Sequence, residues 1–137
     1  MLLSQKIKLY KRVKIEDNRG WFLKVINGKE ENLPAHTGEI YVTVAKNGEM
    51  KGGHYHNVAN EWFCLIKGKC ILKVFDIESK ESQEFKLDDA NPVTIFIPQK
   101  VAHAFFNFDL TGNSEFILLA YTDKLYDPID TIPYNFN

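Results

Sequence analysis

The sequence has few cysteines, almost no net charge and no long apolar run at its start. Cys64 and Cys70 are its only cysteines, and without a secretory signal we expect two buried thiols rather than a disulfide framework. A formal net charge of -1 provides no basic face for nucleic acid. Charges recur every few positions over residues 1–20, so we expect neither a signal peptide nor a membrane span. These absences predict a cytoplasmic protein with a small-molecule partner.

Helical periodicity is also missing, since no apolar stripe at helical spacing lasts for three turns. Short β-branched and aromatic runs instead predict strands at 39–45, 61–66, 70–77, 92–98 and 115–122. Turn residues separate these runs at 47–48, 52–53, 68, 91–92 and 112–113. With 137 residues, 45% of them hydrophobic, we expect one all-β domain over 1–137, built as a sandwich or barrel.

Two local patterns refine this expectation. Apolar runs flank a Lys-Gly-Lys linker in 65–72, which predicts a tight hairpin at Gly68 because glycine adopts a positive φ at little cost. The polar segment 78–91 predicts a loop with at most a short edge strand.

Three of the four histidines form a pattern with one glutamate. His54 and His56 are two residues apart, so on a strand they would share a face, and Glu61 follows five positions later. A third histidine, His103, comes after a proline turn at the start of another predicted strand. Neutral imidazoles and a carboxylate suit Zn²⁺, Ni²⁺, Mn²⁺ or Fe²⁺. Taken singly, each histidine is more often a solvated or core residue than a ligand. His36 stands outside the pattern.

The two segments resemble the two signature motifs of the cupin superfamily. The first motif is matched at Gly48, His54, His56, Glu61 and Gly68. The second is matched at Pro98, His103 and Asn107, with Lys100 where a glycine is usual. The resemblance implies a single jelly-roll barrel, a double-stranded β-helix, and a homodimer. It also implies a divalent metal, zinc foremost, held by His54, His56, Glu61 and His103, although some cupins keep these histidines for acid–base chemistry and bind no metal.

The flanking segments resemble nucleotide-sugar enzymes. Segment 15–25 is similar to the Asp-x-Arg-Gly-x-Phe segment of the dTDP-4-dehydrorhamnose 3,5-epimerases, with matches at Asp17, Arg19, Gly20 and Phe22. Its alternative interpretation is an Asp-Asn turn capped by an arginine. Segment 120–134 resembles the end of nucleotide-sugar epimerases and 3,4-ketoisomerases. Nearly the whole chain resembles the carboxy-terminal zinc cupin domain of the bifunctional capsular-polysaccharide reductase/epimerases.

These resemblances imply an isomerase that acts next to the C4 ketone of a UDP- or dTDP-4-keto-6-deoxy sugar in surface polysaccharide biosynthesis. The ketone acidifies the hydrogen on C3, so the enzyme needs a base and an electrophile for the enolate oxygen. If a metal is bound, His54 and His56 have no free lone pair, and Tyr41, Tyr55, Lys51 or Tyr121 must move protons. If none is bound, His54 or His56 is the base.

Other interpretations stay open at this point. The barrel could be a metal-dependent dioxygenase-like cupin enzyme or a non-catalytic sugar-binding cupin. Lys51 could neutralise a diphosphate or the enolate, or it could be an exposed turn lysine. Among the aromatic residues, we expect Phe63 and Phe105 in the core and leave Tyr41 and Trp62 unassigned.

Overall fold

A computed structural model describes residues 1–107 and 114–137. The chain begins with a short helix, α1 (Leu3–Lys6), and a 3₁₀ turn (Pro128–Asp130) lies near its end. The strands in chain order are β1 (Lys8–Lys11), β2 (Lys14–Asp17), β3 (Gly20–Leu23), β4 (Ile40–Lys46), β5 (Met50–Tyr55), β6 (Glu61–Lys67), β7 (Lys69–Asp76), β8 (Ser82–Asp88), β9 (Val93–Ile97), β10 (Val101–Phe106), β11 (Glu115–Thr122) and β12 (Ile132–Pro133). Within the described ranges, no helix is long or apolar enough to cross a membrane.

Two five-stranded antiparallel sheets face each other across the core. One sheet has the order β1-β9-β6-β11-β4, and the other has the order β12-β5-β10-β7-β8. The chain passes from one sheet to the other between β4 and β5 and again between β6 and β7, as in a jelly roll. Strands β2 and β3 pair only with each other in a separate ribbon. The all-β prediction is therefore confirmed.

The five strands predicted from composition are all present, with ends within one residue of the prediction. Two other local predictions need correction. Gly52 and Gly53 lie inside β5 rather than in a turn, and the edge strand β8 extends over seven residues of the segment predicted to be mostly loop. The turn predicted at 112–113 lies outside the described residues.

The hairpin predicted at Gly68 is wrong. Gly68 does take a positive φ of 97°, but β6 and β7 belong to opposite sheets and do not pair. The backbone turns a corner here, and a Cβ on Gly68 would lie 3.0 Å from the carbonyl oxygen of Glu115. The Asp89 carboxylate accepts the Gly68 N–H at 2.8 Å. The apolar faces of both strands can thereby cover one core from opposite sides.

Large apolar side chains fill the space between the sheets. Phe63 and Phe105 lie 4.9 Å apart, centroid to centroid, which confirms that both belong to the core. Cys64 and Cys70 are buried free thiols, as predicted. Trp62 is buried too, but its ring packs against Phe96 and Tyr121 on the outer side of its sheet.

A buried ion pair holds the segment after the ribbon against the barrel. The Glu30 carboxylate pairs with the Arg12 guanidinium and also accepts the backbone N–H groups of Asn27 and Gly28 at 3.0–3.2 Å. Arg12 Nε donates to Thr94 Oγ1 at 3.1 Å, and that hydroxyl donates to the Val25 carbonyl. Both oxygens of the Glu30 carboxylate thus face donors.

Candidate active site

An irregularity in β5 brings the histidines together. Strand β5 pairs with β10 so that His54 lies opposite His103, but Ala104 lies opposite Gly52, which leaves Gly53 as a bulge residue. Gly52 has a φ of 92°, and a Cβ there would lie 2.8 Å from the His103 carbonyl oxygen. Only a glycine allows this approach without a shift of backbone, so the two imidazole rings meet at 5.0 Å between centroids.

The turn before β10 keeps its shape despite the unusual residue in the second motif. Lys100 adopts a φ of 65°, in the left-handed region that a glycine would favour. Its backbone N–H donates to the His56 carbonyl at 2.6 Å. The lysine therefore preserves the contact between this turn and the end of β5.

The predicted ligand set converges at one end of the barrel. His54 and His56 share a face, with ring centroids 4.9 Å apart, and His103 comes from the neighbouring strand. Glu61 enters from the facing sheet as the first residue of β6. One potential ligand atom from each of these four residues lies within 4.8 Å of the others. The structure thus assembles the predicted His/Glu cluster, which could bind a metal ion.

Hydrogen bonds at the outer ring nitrogens fix the direction of two imidazoles. His56 Nδ1 lies 2.8 Å from the Asp130 carbonyl oxygen, and His103 Nδ1 lies 3.1 Å from that of Val101. Since a carbonyl oxygen only accepts, each Nδ1 carries the hydrogen, and in the neutral ring Nε2 presents a lone pair. Both lone pairs point at the same carboxylate oxygen, Glu61 Oε1, at 2.9 Å from His56 and 3.3 Å from His103.

A positive charge between Glu61 Oε1 and the two Nε2 atoms would stabilise this arrangement. Within the described chain, neither Glu61 Oε1 nor His103 Nε2 has a hydrogen-bond partner, although both are buried. Lone pairs on neutral imidazoles and a carboxylate repel one another unless a proton or a metal cation lies between them. The orphaned atoms therefore fit a metal site, and the three nitrogens and one oxygen are ligands that Zn²⁺ accepts.

The electrostatics of the cluster set the charge of its groups. Burial opposes protonation of His56, but its hydrogen bond with Glu61 and the Glu61 charge prevail and raise its pKa. Burial opposes ionisation of Glu61, but contact with His103 and His56 prevails and holds its pKa below the usual range. Burial, together with the neighbouring imidazoles, lowers the pKa of His54 to about 4. Burial and the nearby Glu61 charge raise the pKa of Tyr41, whose hydroxyl lies 3.3 Å from Glu61 Oε2. At neutral pH the cluster therefore contains a carboxylate, a neutral His54 and a protonated tyrosine.

Three of the four cluster residues, His54, His56 and Glu61, line a cavity of about 360 Å³, a size typical of small-molecule sites. Strand ends and the segment after β11 provide its walls. The lining residues are Glu39, Tyr41, His54, His56, Ala59, Glu61, Thr122, Lys124, Leu125, Tyr126, Asp127, Asp130 and Thr131.

Several residues singled out from the sequence lie elsewhere. Lys51 is exposed on β5, opposite Phe105 in the pairing register, and does not line the cavity. Tyr55 pairs with β12, and Tyr121 packs against Trp62 on the outer side of the sheet. Of the three tyrosines considered for proton transfer, the structure thus places only Tyr41 in the cavity.

The segment resembling the epimerases at residues 15–25 forms the β2–β3 ribbon. Arg19 donates from Nε and Nη2 to Asp17 Oδ2, at 3.2 and 2.7 Å, and its backbone N–H donates to Asp17 Oδ1. Trp21 and Phe22 are exposed on the same ribbon. None of these residues lines the cavity, so within this chain the motif forms a turn stabilised by an arginine.

The sequence interpretation missed the part of the cavity wall that follows β11. Thr122 lies opposite Glu61 in the sheet, so the chain leaves β11 beside the cluster. The Thr122 hydroxyl donates to the Lys124 carbonyl at 2.6 Å, and a side chain on Gly38 would overlap the Lys124 backbone. The Tyr126 N–H donates to Glu39 at 2.6 Å. Antiparallel pairing of the two strands, had it been inferred, would have placed these residues near Glu61.

Comparison with known proteins places the chain in a family and agrees with its fold. A family model described as "Polysaccharide biosynthesis C-terminal domain" matches residues 15–133. The chain belongs to this family. Among curated proteins, the polysaccharide biosynthesis C-terminal domain formed by this chain is similar to the spore coat polysaccharide biosynthesis protein SpsL of Bacillus subtilis (strain 168). The two are 26% identical over 127 residues, which cover 89% of this chain and 82% of SpsL.

Solved structures extend the likeness at the level of fold. A dTDP sugar isomerase from Desulfovibrio desulfuricans G20 superimposes with a TM-score of 0.82 and 18% identity, over 94% of this chain and 83% of that one. The capsular polysaccharide assembling protein CapF from Staphylococcus aureus gives a TM-score of 0.65 and 23% identity over 90% of this chain. The match covers 34% of CapF. The predicted resemblance to sugar epimerases and isomerases is thus confirmed at the level of fold.

Proposed function

We propose that this polysaccharide biosynthesis C-terminal domain is a nucleotide-sugar epimerase or isomerase. Its substrate is a UDP- or dTDP-4-keto-6-deoxy sugar, and the reaction takes place next to the C4 ketone. The observation that carries the proposal is the convergence of three imidazoles and one carboxylate in a cluster that lines the cavity through His54, His56 and Glu61, beside a protonated tyrosine. The family description, the spore coat relative and the dTDP sugar isomerase support a place in surface polysaccharide biosynthesis.

The site is proposed to hold one divalent metal ion, with zinc preferred over nickel, manganese or iron. His54, His56, Glu61 and His103 are the proposed ligands. A bound metal would polarise the substrate ketone and stabilise the charge on the enolate oxygen. Elemental analysis of protein purified without a nickel-leaching tag is expected to find about one ion per chain. Metal content equal to that of a chelator-treated control would return the histidines to acid–base roles.

Tyr41 is the proposed proton donor. Its raised pKa keeps the phenol protonated at neutral pH, and its hydroxyl lies beside the ligand Glu61. With His54 and His56 committed as ligands, their lone pairs do not serve as the base. Tyr41→Phe should therefore lower turnover by about 100-fold or more, as expected for loss of a general acid, with metal content unchanged.

Lys124 is the proposed contact for the anionic part of the substrate, in place of Lys51. It is the one lysine or arginine among the described residues that line the cavity. The nearby carboxylates of Glu39, Asp127 and Asp130 each accept a backbone N–H, which partly offsets their negative charge. A nucleoside diphosphate can thus enter next to Lys124.

We also propose a homodimer of this chain, with residues 1–137 as one cupin domain. Strand β4 lies at the edge of its sheet and exposes Ile40, Val42 and Val44. An exposed apolar edge strand favours pairing with a second copy. Light scattering coupled to gel filtration measures the mass in solution. The cytoplasmic location expected from the sequence stays a prediction.

Hydrogen exchange with solvent tests the reaction. An enolate next to the ketone exchanges its C3 hydrogen, so a 4-keto-6-deoxy nucleotide sugar in D₂O should gain deuterium faster with the protein than without it, as detected by mass spectrometry. His56→Ala should abolish this gain. His36→Ala is the matched control, because His36 is exposed and lies outside the cluster.

The pattern of exchange also separates the alternatives. Exchange at C3 with the ketone kept at C4 indicates 3-epimerisation, and migration of the ketone indicates 3,4-ketoisomerisation. Absence of exchange across a panel of UDP- and dTDP-4-keto sugars would contradict the proposal. Oxygen uptake by iron-loaded protein would then indicate a dioxygenase-like cupin, and binding without turnover a sugar-binding cupin.

A further inference from the structure

Asp130 contacts the site through both its backbone carbonyl and its side-chain carboxylate. Its backbone carbonyl accepts the Nδ1–H of His56 at 2.8 Å. Its carboxylate accepts the backbone N–H groups of the next three residues after His56: Asn57 at 2.7 Å, Val58 at 3.1 Å and Ala59 at 3.1 Å. One residue near the end of the chain therefore holds both the imidazole ring and the loop that follows it.

We infer that Asp130 is a positioning residue that fixes His56 with Nε2 directed toward Glu61. The inference rests on the proposed metal site, which it deepens. Because the Asp130 carbonyl can only accept, His56 keeps its hydrogen on Nδ1 and leaves the Nε2 lone pair for the cation. The loop held by the carboxylate joins β5 to β6, so the same contacts set how far His56 lies from Glu61.

The rest of the carboxy-terminal segment is attached away from the His56 ring. Past Asp130, strand β12 pairs with β5 through two residues, and the Tyr134 N–H donates to the Gly53 carbonyl at 2.9 Å. Neither contact reaches the His56 ring. Without the Asp130 carboxylate, the carbonyl that orients His56 loses its main anchor to the loop. The ring is then free to rotate or to adopt the other tautomer, with the hydrogen on Nε2.

The test uses two variants and one matched control. Asp130→Ala removes all the loop contacts, whereas Asp130→Asn keeps an oxygen at Oδ1 for Asn57 and Val58. Asp89→Ala is the control, since its carboxylate also accepts a backbone N–H, that of Gly68 at 2.8 Å, at the corner between β6 and β7. Zinc affinity is measured by competition with a chromophoric chelator. The His56 tautomer is measured by ¹⁵N NMR on metal-free protein, at a pH high enough to keep the ring neutral, with the signal assigned by its loss in His56→Ala.

We expect Asp130→Ala to weaken zinc binding by about 10- to 100-fold, the range found when the hydrogen-bond partner of a metal-bound histidine is removed. The Nδ1–H form of His56 should fall in population. Asp130→Asn should lose part of both values, because its amide nitrogen cannot accept the Ala59 N–H, and Asp89→Ala should change neither. Wild-type zinc affinity and tautomer in Asp130→Ala would overturn the inference. If Asp130→Ala does not fold, a smaller Nδ1–H population of His56 in Asp130→Asn supports the inference. A wild-type tautomer and zinc affinity in Asp130→Asn would then overturn it.

The two readouts also separate this inference from the proposed function. If the wild-type protein binds no zinc, the metal assignment fails, yet the tautomer of His56 in metal-free protein still tests the role of Asp130. If zinc binds tightly but neither variant alters the tautomer or the affinity, the metal site stands and the positioning role is wrong.

Discussion

Two glutamates are buried in this barrel, and their surroundings differ sharply. Glu30 is 6% exposed and Glu61 is 3% exposed. Glu30 faces a guanidinium and two backbone N–H groups, all of which are donors. Glu61 faces the Nε2 atoms of His56 and His103, whose rings each direct an Nδ1–H to a backbone carbonyl. Glu61 Oε1 has no hydrogen-bond partner among the described residues.

The difference separates a buried carboxylate that donors compensate from one that they do not. Burial of a charge is tolerated when nearby donors compensate for the lost water, and the cluster around Glu30 meets that condition. The cluster around Glu61 meets it only when a proton or a metal cation is added. Burial alone therefore does not identify a site, whereas burial with mismatched partners does.

Matched substitutions should show the largest contrast. Glu30→Gln should lower the free energy of unfolding by about 3 kcal/mol, because it leaves the Arg12 guanidinium buried without a counter-charge. Glu61→Gln should change the stability of chelator-treated protein by less than about 1 kcal/mol, since an amide N–H can donate to an imidazole lone pair. Urea denaturation measures both. An equally large loss in Glu61→Gln without metal would mean that both carboxylates are structural.

Acid should lower the stability that Glu30 and Asp76 contribute, over a defined pH range. The pKa of Glu30 is lowered because its hydrogen bonds to Asn27 and its own backbone, and its contacts with Arg12, outweigh the effect of burial. The pKa of Asp76 is lowered, against burial, mainly by Lys6. In both cases the unfolded chain binds the proton more readily than the folded protein, so their stabilisation is complete above about pH 4.5 and is lost below it.

Each unit by which the pKa is lowered corresponds to about 1.4 kcal/mol of stability. Unfolding curves recorded between pH 3 and pH 7 should therefore show a decline that steepens below about pH 4.5. Glu30→Gln should have a shallower decline than the wild type. Identical slopes for the two proteins would show that Glu30 does not contribute to acid sensitivity.

The smallest expected effect distinguishes two lysines, one inside the cavity and one outside. Lys124→Met should weaken binding of UDP or dTDP by about fivefold, roughly 1 kcal/mol, the upper range for an exposed ion pair. Lys51→Met should have a smaller effect and should keep thermal stability within about 0.5 kcal/mol. Isothermal calorimetry at low salt measures the affinities. A larger loss in Lys51→Met would favour the role expected for Lys51 from the sequence.

Local patterns were sufficient to predict the strands and the central cluster. Residue type and alternation placed β11 at residues 115–122, and the spacing of His54, His56 and Glu61 identified residues that the fold brings together. These predictions succeeded because strand formation depends on neighbouring residues, and the histidine pair depends on the two-residue repeat of a strand.

Features that depend on distant parts of the chain were missed. The residues around Gly68 are compatible with a hairpin and with a corner between two sheets. Pairing of β6 with the distant strands β9 and β11 decides in favour of the corner. Lys124, Tyr126 and Asp130 reach the cavity through the register between Thr122 and Glu61, 61 positions apart in the chain. Arg12 and Glu30 also meet without a sequence pattern that links them.

Gly52 has a consequence for how this protein tolerates mutation. Its position is exposed, carries no functional group and is absent from the cavity wall. A survey of surface positions for labels, charges or tags would therefore class it as replaceable. Any side chain there meets the His103 carbonyl in a backbone conformation that other residues rarely adopt, and it would push apart the two strands that carry His54 and His103. In a saturation library, this surface glycine should be as intolerant of replacement as the histidines it serves.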